Sequence, residues 1–183
     1  GINPTHADEE HLGSLQNIIQ EKKKLLTALP PRGLAVLNWD DEQVRQMIKG
    51  IKARILFYGS DQKHCDFWAE KIEIDFNGTS FTLGYDDKKI FMKTGLVGRH
   101  FVQNCLAAVA VGLHQNLSME QIKKGLAKLK PLPGRLSIEK GPLDSILLND
   151  SLRANPASTL AGLQTLADLP SGGKDLVFSF SVK

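Results

Sequence analysis

Leu15, Ile18, Ile19, Leu25, Leu26 and Leu29 recur at the three- and four-residue spacing of a single helical face, with polar residues between them. Ser14 stands where a capping side chain is needed, and Pro30-Pro31 stops the helix. Leu34 to Asn38 reads as a short strand, Asp41 to Gly50 as a helix with Val44, Met47 and Ile48 inward, and Ile55 to Tyr58 as a second strand. Strand, helix and strand in this order form a right-handed parallel crossover. The period then changes to two. Ile72, Ile74 and Phe76 alternate with charges, Asn77-Gly78 supplies a hairpin turn, and Phe81, Leu83 and Tyr85 alternate again. Ile90 to Lys93 closes a small antiparallel sheet, and helices follow over His100 to His114 and Ser118 to Leu129.

Pro131 and Pro133 separate these elements from a last unit. There, the apolar run Leu143 to Leu148 suits a buried strand with Asn149-Asp150-Ser151 at its carboxyl end. Ser151 or Asn155 can cap a helix that has Pro156 in its first turn and runs from Thr159 to Leu169. Asp175 to Val182 reads as a further strand. The pattern is α/β, and in open α/β sheets ligands bind beyond the carboxyl ends of strands. Asn149-Asp150-Ser151 is therefore a candidate ligand-facing segment, although an ordinary strand followed by a capped helix has the same local pattern.

Composition narrows the function classes. The 183 residues, 42% hydrophobic and 23% charged, suffice for one domain with a sizeable core and part of another. A net charge of +3, with Lys22-Lys23-Lys24 the only basic run, gives no nucleic-acid footprint. Two distant cysteines, Cys65 and Cys105, suggest neither a disulfide framework nor a zinc site and fit a reducing cytoplasm. No apolar stretch is long enough for a membrane span, and the N-terminus lacks a signal pattern. The phosphate-loop pattern G-x-x-x-x-G-K-[ST] is missing, and Ser179 and Ser181 lie in no nucleophile elbow. His64 and His114 have no obvious partner nearby in sequence, and Trp39 and Trp68 read as packing residues.

Three ordered stretches carry a family resemblance: GSLQNIIQEKKKLL with AVLNWDD, LVGRHFVQNCLAAVAVGL, and PGRL followed by LLNDSLRANPAS. Together they resemble the Mur ligases, ATP-dependent enzymes that add amino acids or peptides to a cell-wall precursor. The N-D-S-x-x-A-N-P-x-S form is most similar to the members that add D-alanyl-D-alanine. The resemblance implies that residues 1–132 are the second half of the ATP-binding central domain, a parallel sheet with flanking helices plus a small antiparallel sheet. Residues 133–183 would open a Rossmann-like α/β C-terminal domain. An internal piece of a longer enzyme is expected, since Gly1-Ile2-Asn3-Pro4 reads as the end of a strand and the family places a phosphate loop and an N-terminal substrate domain earlier.

The same resemblance assigns roles. His6 looks like the histidine that contributes to magnesium binding, with Asp8 and His11 left open as alternatives because THADEEHLGS carries extra residues. Lys22 resembles the lysine that is carbamylated into an anionic metal ligand; unmodified, its cation would repel magnesium. Asn104 matches the asparagine that contacts adenine, and His100 the histidine of that motif, whereas Phe101 replaces a second asparagine of many relatives. Arg135 resembles an arginine that reaches the ATP phosphates on domain closure, where a guanidinium offsets developing charge. Asp150 resembles the aspartate that accepts hydrogen bonds from the ribose hydroxyls. Leu152 and Arg153 depart from the tyrosine-asparagine pair common in the D-alanyl-D-alanine-adding members. The expected cofactors are ATP and Mg2+, and the expected substrates a UDP-N-acetylmuramoyl-peptide and an amino acid or D-alanyl-D-alanine. A folylpolyglutamate or cyanophycin-type ligase, or a noncatalytic Mur-like binding protein, is the alternative.

Overall fold

The computed structural model describes residues 2, 13–170, 172–173 and 176–182. Ser14 accepts a hydrogen bond from the Asn17 amide and opens α1 (Leu15–Thr27), which buries Ile18 and Ile19. There follow β1 (Leu34–Asn38), α2 (Glu42–Gln46), β2 (Arg54–Gly59), β3 (Phe67–Asp75), β4 (Gly78–Tyr85), β5 (Lys88–Thr94), α3 (His100–His114) and α4 (Met119–Ala127). The last unit holds β6 (Ser137–Lys140), β7 (Ile146–Ala154), α5 (Pro156–Asp168) and β8 (Leu176–Val182).

The parallel and antiparallel strands form one mixed sheet in the order β1-β2-β3-β4-β5. β1 and β2 pair in parallel, and Tyr58 and Gly59 pair with Phe67 and Trp68 to carry the parallel pair into the antiparallel meander. A bulge between Glu70 and Glu73, with Lys71 at φ 52°, resets β3 so that its outer half shows the alternation beginning at Ile72. In the second sheet β6 pairs antiparallel with β7, and β7 pairs in parallel with β8 across α5.

Both faces of β1 are covered, which explains its unbroken apolar run. Ala35 and Leu37 pack with Ile19, Val44 and Met47 on one side, while Leu34 and Val36 pack towards the main core on the other. That main core joins Phe67, Phe81, Leu83 and Met92 of the sheet to Val102, Leu106 and Val109 of α3 and Ile122 and Leu126 of α4. A third cluster, of Val97, Leu136, Leu148 and Leu169 with Ile74 and Phe101 against it, joins the two sheets. Cys65 and Cys105 are buried and unpaired.

Gly84 has no room for a side chain. A Cβ there would meet Trp68 Cε2 at 1.9 Å, because the indole lies across the cross-strand position. Gly84→Ala is expected to cost about 1–3 kcal/mol by displacing this buried ring, read as a lower urea midpoint.

Three sequence expectations are corrected. Leu143 does not begin a buried strand: it is fully exposed, at φ 53° within a tight 3-10 turn over Pro142–Asp144. Gly141 N–H donates to Ser145 O and the Ser145 hydroxyl to Pro142 O, so this segment reverses the chain between β6 and β7. Asn149-Asp150-Ser151 consequently lies within β7, not beyond its end, although the β7–β8 register breaks between Asp150 and Ala154. The helix expected over Asp41 to Gly50 ends at Gln46. Beyond it, Met47 N–H and Ile48 N–H bond to Val44 O and Arg45 O in i→i+3 turns, which carry Met47 and Ile51 into the core.

Candidate functional site

The segment Pro133-Gly134-Arg135-Leu136 is tied to β7 by its own backbone. Leu152 N–H donates to Gly134 O at 2.9 Å, and Gly134 N–H donates to the Ser137 hydroxyl at 3.1 Å. Leu136 takes φ 52°, and its backbone N–H bonds to Asp150. Arg135 is thereby exposed beside a carboxyl group that is itself only 7% exposed. Burial pushes the Asp150 pKa up, while the Leu136 N–H and the Arg135 guanidinium pull it down less strongly.

The flanking residues support the strand. Asn149 Oδ1 accepts from the Ser151 N–H and hydroxyl, and its amide donates to Glu139 Oε1 at 2.9 Å. Asn155 caps α5 through a reciprocal bond with Ser158, with Pro156 in the first turn. Asn149 and Ser151 are thus bonded to each other, and Asn155, not Ser151, is the cap.

α3 begins from a loop fixed by a fully buried threonine. Thr79 Oγ1 donates to Leu96 O at 2.8 Å and accepts from Gly98 N–H at 3.0 Å. Gly98 takes φ 135°, and a Cβ there would meet the His100 ring at 2.7 Å and Thr165 Oγ1 of α5 at 2.9 Å. Only glycine lets the start of α3 and the middle of α5 approach this closely. Arg99 Nε reaches Asp168 at 2.8 Å across the same junction. Phe101 lies tilted against the His100 ring, 4.2 Å between centroids, and packs into the third cluster, so an apolar contact to the second sheet takes the place of the polar one expected from an asparagine. Asn104 is exposed one turn further along the helix.

Burial pulls the His100 pKa below its ordinary 6.5. Because the folded value lies under the unfolded one, stability is full above 6.5 and falls as pH drops through that value towards the folded pKa. His100→Gln is expected to flatten the loss of stability from neutral into mildly acidic pH, read in urea midpoints across that range.

Lys22 lies half-buried on α1, in the wall of a cavity of about 300 Å3 that Leu26, Val36, Asn38, Met47 and Tyr58 also line. Burial, then Asp41 and Asp40, raise the Tyr58 pKa, keeping its phenol protonated. His6, Asp8 and His11 lie outside the described residues. His64 has a partner after all: its Nδ1 is 2.6 Å from Asp61 Oδ2, and its ring stacks on Trp39 at 4.8 Å.

Sequence reasoning missed one cluster, at the carboxyl ends of β1 and β2. Asp40 accepts from the Ser60 N–H at 3.0 Å, the Ser60 hydroxyl at 2.9 Å and Gln103 Nε2 of α3 at 2.8 Å. Asp41 caps α2 and accepts from Ile2 N–H at 2.7 Å. The only signal was two adjacent aspartates, Asp40 and Asp41, one residue beyond a strand.

Residues 1–112 match the Mur ligase middle domain. The chain belongs to the Mur ligase family. It is 33% identical over 162 residues to the Escherichia coli UDP-N-acetylmuramoyl-tripeptide--D-alanyl-D-alanine ligase, covering 88% of this chain and 36% of that protein. It is 32% identical over 183 residues to the Chlamydia pneumoniae UDP-N-acetylmuramoyl-L-alanyl-D-glutamate--2,6-diaminopimelate ligase, covering 94% of this chain and 36% of that one. Among solved structures, MurF from Acinetobacter baumannii superposes with a TM-score of 0.81 at 28% identity, over 92% of this chain and 36% of its own. The Thermotoga maritima MurF ligase, solved in complex with ADP, shares the fold at a TM-score of 0.78 and 18% identity, over 92% of this chain and 38% of its own. This Mur ligase chain therefore spans about a third of the length of the relatives it matches. No helix among its described residues is long and apolar enough to cross a membrane.

Proposed function

We propose that this chain supplies the nucleotide-facing part of an ATP-dependent ligase that joins D-alanyl-D-alanine to a UDP-N-acetylmuramoyl-tripeptide in the cytoplasm. On this reading residues 1–132 belong to the ATP-binding central domain and residues 133–183 open the C-terminal domain. The observation that carries it is the buried Asp150 carboxyl held beside the exposed Arg135 by the Gly134 and Leu136 backbone, in a chain one-third identical to such a ligase. A desolvated acceptor next to an exposed guanidinium suits a nucleotide, which offers ribose hydroxyls to one and phosphate oxygens to the other.

The roles follow from the side chains. Asp150 accepts from the ribose hydroxyls, and the Asn104 amide offers both a donor and an acceptor to adenine, with neutral His100 one helical turn before it. Arg135 offsets charge on the transferring phosphoryl group. The precursor carboxylate attacks the γ-phosphorus and ADP leaves; the amine then attacks the acyl carbon, and phosphate departs with one carboxylate oxygen. Closing the Arg135–Asp150 segment over the nucleotide keeps water from the acyl phosphate.

Among the described residues no three His, Cys, Asp or Glu side chains gather as a metal site. On this reading magnesium would be held by Lys22, converted to an anionic carbamate, with His6, or its alternatives Asp8 and His11, as companion. There it would offset charge on the β- and γ-phosphates.

The test uses the full-length enzyme and a precursor whose terminal carboxylate carries 18O. Released phosphate should contain one 18O atom, because the C–O–P bridge forms before the C–O bond breaks. Unlabelled phosphate would overturn the acyl phosphate route. Running the assay with 2,6-diaminopimelate on its own acceptor separates the two amine substrates suggested by relatives of near-equal identity.

A further inference from the structure

α3 starts without a side-chain cap: Arg99, at the cap position, is already helical and makes no capping bond. Its buried face is apolar, through Val102, Cys105, Leu106 and Val109. Such packing is non-directional in itself, and the directional contacts at the helix start run from Arg99, to Asp168 at 2.8 Å and to Ile72 O at 3.3 Å, away from the ends of β1 and β2. A directional contact occurs one turn in, where Gln103 Nε2 donates to Asp40 Oδ2 at 2.8 Å. Gln103 immediately precedes Asn104.

The Asp40 end of this contact is itself held. The Ser60 N–H lies 3.0 Å from each carboxylate oxygen, and the Ser60 hydroxyl lies 2.9 Å from Oδ1. Asp40 N–H donates to Asn38 Oδ1 at 2.9 Å, which closes the turn after β1. At Gly59, a Cβ would lie 2.7 Å from Asp40 Oδ1, so the carboxylate rests directly on the last residue of β2. One side chain thereby joins the ends of two neighbouring parallel strands to the third element, α3.

The orientation of the Gln103 amide is dictated. A carboxylate can only accept, so Nε2 faces Asp40 and Oε1 must point elsewhere. There it is buried without a hydrogen-bond partner among the described residues. Leaving a buried acceptor unpaired costs stability, and such a cost retained beside a ligand-facing residue points to a geometric role.

We propose that Asp40, acting through Gln103, is a positioning residue for the nucleotide base: it sets the first turns of α3, and so the Asn104 amide, relative to the ends of β1 and β2. This rests on the proposed role of Asn104 towards adenine. Displacing a binding group by about 1 Å is enough to lose much of its contribution.

The experiment reverses the polarity of the contact in the full-length ligase. Gln103→Glu sets two carboxylates against each other and should raise KM for ATP about 10-fold, with kcat nearly unchanged and with reduced discrimination of ATP from GTP. Adding Asp40→Asn should restore KM and discrimination, because the new amide keeps its oxygen for Ser60 and offers its N–H to the glutamate. Asp40→Asn alone should have little effect, since the Gln103 amide can flip to meet it. A KM untouched by Gln103→Glu, or raised without rescue by Asp40→Asn, would overturn the proposal. So would a loss of stability that leaves ATP discrimination intact.

Hydrogen exchange on this chain separates failure here from failure of the functional reading. Gln103→Glu should speed exchange of the Ser60 amide and the first turns of α3, and the double variant should slow it again. Unchanged exchange sinks the clamp whatever the enzyme does. A wild type without ATP turnover removes the role of Asn104 on which the proposal rests, and sinks both.

Discussion

Lys22→Ala in the full-length ligase is expected to lower kcat by ~10²–10³-fold, the usual loss when charge stabilisation is removed from a transition state. The substitution should leave the fold intact. Lys22 is only half-buried, alanine favours helix, and the buried residues of α1 are Ile18 and Ile19, one helical turn earlier. What is lost on the proposed reading is an anionic metal ligand, because the lysine acts as a carbamate. Formate or acetate should therefore recover part of the activity by placing a small carboxylate where the carbamate oxygens stood, in the cavity bounded by Asn38 and Tyr58. Lys22→Glu, bearing a carboxylate of its own, should retain more activity than Lys22→Ala. Wild-type rates in Lys22→Ala, or a loss that no carboxylate relieves, would remove Lys22 from the metal site.

Asp150→Asn is expected to weaken ATP binding by ~10²-fold, through two charge-assisted hydrogen bonds to ribose, while making the protein more stable at neutral pH. The second effect follows from the direction of its pKa. Burial raises the folded-state value above the unfolded one, so the folded protein holds the proton more tightly. The stability this gives is full below the unfolded pKa and is lost as pH rises through the folded value. At neutral pH the ionised carboxylate is a net cost, offset only partly by Leu136 N–H and Arg135. An asparagine removes that cost, so its urea midpoint should exceed the wild type at neutral pH, and the advantage should vanish in acid. A midpoint below the wild type at neutral pH would mean that Asp150 serves the fold more than the ligand. Opposed effects on stability and binding are the pattern expected of a residue kept for its ligand.

Elements governed by long local patterns were readable from sequence. α1 and α3 carry several turns of apolar periodicity, and β1 and the hairpin of β3 and β4 have the spacing and turn residues that define them. Leu143 was misread because a short apolar run does not reveal whether its members are buried, and the turn that exposes this one depends on Ser145 bonding back to Gly141 and Pro142. α2 was overextended because Met47 and Ile51 reach the core through turns that mimic helical spacing over a few residues.

The candidate site divides in the same way. Arg135 and Asp150 were proposed from motif, and backbone bonds between the Gly134–Leu136 segment and β7 set them near one another, which leaves their roles as proposals. The contact from Asp40 to Ser60 and Gln103 spans separations of 20 and 63 residues, so no local window could hold it. Phe101 was recognised as a departure, but only the packing shows what replaces the missing polar contact: an apolar link between α3 and the second sheet. That link and the Arg99–Asp168 pair join the two sheets at the start of the helix carrying Asn104.

Phosphate release by the full-length ligase, measured with ATP, UDP-N-acetylmuramoyl-tripeptide and D-alanyl-D-alanine each present or omitted, tests the central reading most directly. One phosphate per amide bond formed, with sustained release only when all three are present, is the expected result. Sustained ATP hydrolysis that ignores both peptide substrates, or no release with the complete set, would contradict it.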